Sequence, residues 1–107
     1  MDTKKIEPEV RIFIEKIKKE FKPNQILLFG SRARGDAWKQ SDYDFIIVSD
    51  KFKSMPWMKR ISKIVQKWDS LVDIDVLPYT LQEFTDKKIN SSVVRRAVRE
   101  GKILFHN

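Results

Sequence analysis

QILLFGSRARGDAWKQSDYDFIIV, residues 25–48, consists of two short apolar runs joined by a polar stretch. Gln25–Phe29 and Tyr43–Val48 both have the length of a strand, and the second run is rich in the aromatic and β-branched side chains that favour strands. The polar stretch reaches as far as Ser41. The sequence therefore predicts two strands joined by a loop that begins with Gly30.

Apolar residues recur at helical spacing on both sides of this segment. Before it, the pattern predicts a helix that carries Pro8 in its first turn and is ended by residues 22–24. After it, a second amphipathic helix is expected, with Ser54 as its cap and Pro56 in its first turn. The apolar faces of the two helices contain Ile6, Val10, Phe13, Ile17 and Phe21, and Met58, Ile61, Val65 and Trp68, respectively.

The rest of the chain alternates between strand and helix patterns. Residues 71–77 alternate apolar and acidic side chains before Pro78, which is the period of a strand with one polar face. Thr80 and Glu83 have the spacing of a capping box at the start of a short helix. Strands that alternate with helices indicate an α/β layer structure. The last helix is marked by Val94, Ala97 and Val98 and ends at Gly101, and residues 102–105 are expected to add an edge strand.

The composition limits the kind of site that the chain can build. The 107 residues fit one domain, 1–107, and include no cysteine and a single histidine, His106. Zinc would therefore lack its usual ligands, and a metal ion would have to be held by oxygen, which suits magnesium, manganese or calcium. No apolar run is long enough to cross a membrane, and residues 1–5 lead into an amphipathic pattern, so we expect a cytoplasmic protein without a membrane partner.

The net charge favours anionic partners without identifying one. The 22 Lys and Arg residues against 15 Asp and Glu residues give a formal charge of +7. The basic residues are spread over several short clusters, which is more typical of solvated helix faces than of a nucleic-acid groove. This charge is compatible with a nucleotide, with RNA and with an acidic protein as partner. Of these, RNA is not the favoured hypothesis.

The polar stretch and the start of the second strand contain the candidate site. Gly30 lets the backbone approach a ligand closely, while Ser31 can cap the following turn and offer a hydroxyl group to a phosphate. Asp42 and Asp44 lie two residues apart, so both carboxylates emerge on one face and require a cation between them. Asp73 and Asp75 repeat this arrangement on the third strand, and three carboxylates around two metal ions are a known solution for nucleotidyl transfer.

The spacing of these residues resembles the signature of the DNA polymerase β-like nucleotidyltransferase superfamily: Gly-Ser, ten intervening residues, then Asp-x-Asp. The opening Gly-Ser-x-Ala-Arg-Gly-Asp, the small size and the C-terminal segment are similar to its minimal nucleotidyltransferases. The resemblance implies a small mixed β-sheet flanked by helices, ATP as substrate and two Mg²⁺ ions. It places the triphosphate at Gly30 and Ser31, and makes Asp42, Asp44 and Asp75 the catalytic metal ligands, with Asp73 as the alternative to Asp75.

Three neighbouring side chains have open roles. Arg32 is the better candidate for a phosphate contact, whereas Arg34 either contacts phosphate or pairs with a carboxylate to brace the loop. Trp38 either covers the nucleotide base or serves in packing or partner contact.

The resemblance also implies partners. Minimal nucleotidyltransferases are often paired with small helical HEPN proteins and act as antitoxins, some of them by adenylylating a tyrosine of the toxin. The chain has no room for an acceptor-binding domain, so acceptor recognition is expected to depend on a partner or a homodimer. Two alternatives remain open at this point. One is a binding module that neutralises the partner by contact alone, and the other is an RNA-binding protein driven by the positive charge.

Overall fold

A computed structural model describes residues 6–38 and 41–107. Residues 1–5, where the sequence predicts no signal segment, lie outside the described residues. Along the chain the elements are α1 (Pro8–Phe21), β1 (Gln25–Phe29), α2 (Ser31–Arg34), β2 (Tyr43–Val48), a short 3-10 helix (Asp50–Phe52), α3 (Trp57–Val65), β3 (Ile74–Tyr79), α4 (Leu81–Asn90), α5 (Ser92–Glu100) and β4 (Lys102–His106).

The four strands form one mixed sheet in the order β3-β2-β1-β4. β1 is antiparallel to both β2 and β4, whereas β2 and β3 run parallel and are connected through α3. β3 and β4 are therefore the edge strands. The mixed sheet flanked by helices confirms the predicted fold class.

Each face of the sheet carries its own apolar cluster, because side chains alternate along a strand. Phe45 and Ile47 point into the cluster that α1 and α3 cover. Ile46 and Val48 point to the other face, where they pack beneath α4 and α5. Asp44 has the parity of Ile46 and Val48, so its carboxylate lies on the α4 and α5 side of the sheet.

The prediction for the second amphipathic helix was partly wrong. Ser54 is not its cap: residue 54 has a left-handed backbone with φ 65°, and α3 begins after Pro56. The helix ends at Val65 and buries Arg60 and Ile64, which were not predicted. Of the predicted face, Ile61 packs against the core, whereas Met58 and Val65 are exposed. Trp68 follows the helix and still packs on the core, edge-on to Phe13 with the ring centroids 5.3 Å apart.

The third strand is shifted along the chain relative to its prediction. It covers Ile74–Tyr79 instead of residues 71–77, and Leu71 is fully exposed. The strand contains Pro78, which lacks an N–H group but is tolerated because β3 is an edge strand.

The predictions for the C-terminal elements are confirmed. The Thr80–Glu83 capping box begins α4, and α5 ends at Gly101. β4 reaches His106, one residue beyond its predicted end. No helix in the ranges 6–38 and 41–107 is long and apolar enough to cross a membrane.

Candidate functional site

Asp44 is the central residue of an acidic cluster on one face of the sheet. It lies opposite Asp75 in the parallel register of β2 and β3, and Asp42 immediately precedes β2. The side chain of Asp44 is half-buried, whereas those of Asp42 and Asp75 are exposed. Burial raises the pKa of Asp44, the negative charges of Asp75 and Asp42 raise it further, and Arg34 opposes them. The three carboxylates therefore place negative charges close together, and a bound cation would offset their mutual repulsion.

Gly30 provides the backbone surface beside Asp44. Its φ is 73°, a conformation that favours glycine, and a Cβ atom at residue 30 would collide with the Asp44 carboxylate. Gly30 also occupies the N-cap position of α2, and Ser31 is the first helical residue. The prediction that Ser31 caps this turn is therefore wrong, because the chain passes Asp44 at the cap position and has room there only for glycine.

Arg32 is directed away from the acidic cluster. Its Nε and Nη2 atoms donate to the carbonyl oxygen of Ser41 at 3.1 and 2.9 Å, and its guanidinium lies 4.3 Å from the ring centroid of Tyr43. Because Tyr43 and Asp44 point to opposite faces of β2, the structure does not bring Arg32 together with the carboxylates. Arg32 instead fixes the backbone that leads into Asp42.

Arg34 lies on the same side as the carboxylates. Its Nε is 3.3 Å from an Asp36 oxygen and its Nη1 is 3.9 Å from an oxygen of Glu100, at the end of α5. The sequence left two roles open for Arg34, a phosphate contact or a pairing with a carboxylate that braces the loop. These contacts correspond to the second role. Arg34 also lies close enough to Asp44 to lower the pKa of that carboxyl.

Asp73 and Trp38 are not brought into the cluster. Asp73 is exposed and precedes β3, where its carbonyl oxygen accepts a hydrogen bond from the Tyr43 amide. The side chain of Trp38 is 81% exposed, and its backbone N–H donates to the Ser41 hydroxyl. The choice of Asp75 over Asp73 is supported by the register, while the metal-binding role of Asp75 stays a prediction.

A cleft of about 210 Å³ opens beside Gly30, between the end of β1 and α5. The α5 residues that line this cleft were not predicted from the sequence. The one sequence feature that could have indicated them was the i,i+4 spacing of Arg96 and Glu100, which is typical of an ion pair on a helix. The residues that line the cleft are Phe29, Gly30, Arg34, Val93, Arg96, Ala97 and Glu100.

Arg60 is a second residue that the sequence did not single out. Its buried guanidinium donates to the carbonyl oxygens of Met55 and Pro78, and it pairs with Glu83 at 2.6 Å. Glu83 also closes the capping box of α4. This pair therefore joins α3, β3 and α4 away from the acidic cluster.

The donor set of the acidic cluster fits a hard cation. Asp42, Asp44 and Asp75 offer only carboxylate oxygens, which magnesium prefers. Within residues 6–38 and 41–107, however, no three acidic, histidine or cysteine side chains stand close enough together to form a ligand set. The carboxylates repel one another, and the attraction of each to a cation between them would offset that repulsion.

Comparison with known proteins assigns the chain to a class of enzyme. Residues 13–107 match the family described as Polymerase beta, Nucleotidyltransferase, and the chain belongs to this family. It is similar to the "putative protein adenylyltransferase" of Methanocaldococcus jannaschii, with 31% identity over 102 residues that span 92% of this chain and 97% of the relative. The chain is therefore a nucleotidyltransferase, as its sequence motif predicts.

Solved structures share the fold. A "putative nucleotidyltransferase" from Sulfolobus solfataricus superposes with a TM-score of 0.63 at 19% identity, over 92% of this chain and 84% of that one. A toxin-antitoxin with AMP-PNP gives a TM-score of 0.58 at 26% identity, over 89% and 72%. BolA1 from Arabidopsis thaliana gives 0.59 at 22% identity, over 73% and 98%. Because proteins of one fold can have unrelated functions, the function of this chain depends on the residues of its site.

Proposed function

We propose that this chain transfers AMP from ATP, with Mg²⁺, to a tyrosine hydroxyl of a HEPN toxin partner and so acts as an antitoxin. The observation that carries the proposal is the position of Asp44, which lies opposite Asp75 in the parallel register of β2 and β3 and directly against the backbone of Gly30. The protein acceptor is supported by the similarity to the archaeal adenylyltransferase. The adenine nucleotide and the partner are supported by the similarity to the toxin-antitoxin with AMP-PNP.

Asp42, Asp44 and Asp75 would hold the magnesium ions. Bound magnesium polarises the phosphoryl oxygens, lowers the pKa of the attacking hydroxyl and neutralises charge on the leaving group. Gly30 leaves room for the triphosphate next to Asp44, and the first amides of α2, at Ser31 and Arg32, have no partner within the helix and can donate to it.

The reaction is a single displacement at the α-phosphorus of ATP. The tyrosine oxygen forms a bond to this phosphorus, and the bond to the oxygen that bridges to the β-phosphate breaks. Pyrophosphate leaves with the electrons of that bond. Asp75, which is exposed on the edge strand, accepts the hydroxyl proton.

The transfer is tested by incubating the protein with ATP labelled at the α-phosphate, Mg²⁺ and the product of the neighbouring gene. Wild type is expected to label the partner on tyrosine, and the Asp42→Ala/Asp44→Ala variant is expected to leave it unlabelled and active. If this variant still silences the partner while no label is ever transferred, the antitoxin acts by contact alone. If RNA binds with a steep salt dependence and without any need for metal or nucleotide, the RNA-binding alternative is correct.

Metal binding has its own test. Addition of Mg²⁺ is expected to raise the Tm of wild type and of Asp73→Asn but not that of Asp75→Asn, because a ligand that binds only the folded state stabilises it. The Asp73→Asn variant is the matched control, since Asp73 is also exposed and close in sequence. Equal responses of the two variants would contradict the assignment of Asp75.

A further inference from the structure

Arg96 occupies the α5 wall of the cleft beside Gly30. Its Nε donates to both carboxylate oxygens of Glu100 at 3.1 Å. Among the residues that the structure describes, the two terminal nitrogens of Arg96 donate to no protein acceptor, and the side chain is 64% exposed. The guanidinium is therefore oriented by Glu100 through one edge and keeps its outer edge available for an anion.

The position of Glu100 is fixed by the residue that follows it. A Cβ atom at Gly101 would collide with the carbonyl oxygen of Ala97 and would lie 2.7 Å from that of Leu28. The end of α5 thus lies directly on the backbone of β1, and the 27% exposed side chain of Glu100 faces the α2 end of the site, where it also meets Arg34. Glu100 therefore contacts a guanidinium group on each side of the cleft, Arg34 and Arg96. Because Arg34 is also paired with Asp36, the outer edge of Arg96 is the part of the cleft lining that offers positive charge to an anion.

The strand order indicates which end of a nucleotide reaches this cleft. Asp75 lies on the edge strand β3, Asp44 on β2 and Gly30 at the end of β1, so the cleft lies beyond Gly30 on the side away from Asp75. In an in-line displacement the leaving group departs opposite the attacking oxygen. An acceptor deprotonated at Asp75 therefore directs pyrophosphate toward β1 and α5. At about 210 Å³ the cleft is also smaller than pockets that enclose a whole drug-sized ligand, and it can take only one end of the nucleotide.

We propose that Arg96, oriented by Glu100, binds the β- and γ-phosphates of the nucleoside triphosphate in this cleft. This inference rests on the proposed function. It adds a binding residue from the last helix to the glycine-serine turn and the aspartates.

The test is equilibrium binding of ATP, AMP and inorganic pyrophosphate to Arg96→Gln in the presence of Mg²⁺, measured by calorimetry. Arg99→Gln is the matched control, because it removes the same charge from the same helix without touching the cleft. Arg96→Gln is expected to weaken ATP and pyrophosphate about ten- to a hundredfold, which corresponds to one hydrogen bond between charged groups. AMP affinity is expected to change less than about twofold, since AMP lacks the phosphates concerned.

The outcomes separate this inference from the proposed function. If wild type binds ATP and Arg96→Gln binds it as tightly as Arg99→Gln does, the inference is overturned and the proposed function stands. An equal loss of AMP and ATP affinity would also overturn it, because the cleft would then hold another part of the nucleotide. If wild type binds no nucleotide at all, the proposed function itself fails. Arg96→Lys keeps the charge at this exposed position and is expected to recover part of the ATP affinity, which a folding defect would not allow.

Discussion

The backbone of Gly30 lies directly against the carboxylate of Asp44, so that any side chain at residue 30 would collide with it. This contact couples the glycine-serine turn to the acidic strand. A side chain at residue 30 would therefore force the Asp44 carboxylate to move.

Gly30→Ala is expected to lose nucleotidyl transfer, because the added methyl group displaces Asp44. Gly35→Ala is the matched control: Gly35 also has a positive φ, 85°, but among the described residues nothing beyond its chain neighbours lies within 4 Å of where a Cβ atom would stand. Both substitutions should lower the free energy of unfolding by about 1–3 kcal/mol through backbone strain. Urea denaturation measures this cost, and the labelling assay measures transfer. Comparable activity of the two variants would show that the contact with Asp44 is unimportant.

Asp44→Asn is expected to increase stability at neutral pH without Mg²⁺ while reducing transfer by about a hundredfold or more. The pKa of Asp44 is raised in the folded protein by burial and by Asp75 and Asp42, so the folded state binds the proton more tightly than the unfolded state. Wild type therefore loses stability as the pH rises from the ordinary aspartate pKa through the raised one. The stability gain of the variant should vanish in acid, below the ordinary value.

The measurement for Asp44 is urea denaturation across this pH range. Asp73→Asn serves as the control, since Asp73 is exposed and outside the cluster, and its free energy of unfolding should stay within about 0.5 kcal/mol of wild type. An Asp44→Asn variant that is less stable than wild type at neutral pH would refute the repulsion argument.

Arg32→Lys is expected to raise the Mg²⁺ concentration needed for half-maximal activity and to leave the KM for ATP unchanged. Lysine cannot reproduce the two bonds to the Ser41 carbonyl, which precedes Asp42, and losing this support should cost about 1 kcal/mol of stability. Steady-state kinetics over a Mg²⁺ series provide the readout. Arg11→Lys is the control, because Arg11 lies on α1 and also donates to a backbone carbonyl, that of Ile6. A raised KM for ATP in Arg32→Lys would instead favour the phosphate contact that the sequence indicated.

Arg60→Met is expected to lower the free energy of unfolding by about 1.5–3 kcal/mol at pH 7, because it removes charge-assisted hydrogen bonds that join α3, β3 and α4. The hydrogen bond from Arg60 is the main cause that lowers the pKa of Glu83 in the folded protein. The stability that this pair provides is therefore present above the ordinary glutamate pKa and is lost as the pH falls toward the lowered one.

For Arg60 the measurement is denaturation at a series of pH values. Wild type should lose stability on acidification through this window more steeply than Arg60→Met does. Lys59→Met changes an exposed residue of the same helix and should match wild type in both respects. Parallel curves for wild type and Arg60→Met would show that the pair does not contribute in this way.

Much of the architecture follows from local pattern. The apolar runs of β1 and β2, the capping box at Thr80 and the glycine at the end of α5 were all readable, because each depends on neighbours within a few residues. The pattern failed where tertiary packing overrides spacing. Ser54 adopts a left-handed turn instead of capping α3, and β3 includes Pro78 because it lies at the edge of the sheet.

The sequence by itself determined which groups the site can offer: a glycine that lets the backbone approach a ligand, a pair of aspartates on one strand face, and neither a cysteine nor more than one histidine to bind zinc. The tertiary structure alone decided the partners of these groups. The parallel register placed Asp75 opposite Asp44, and the packing of α5 on β1 brought Glu100 and Arg96 to Arg34. Periodicity fixes the face on which a side chain lies, but register and helix position depend on packing between segments that are distant in sequence.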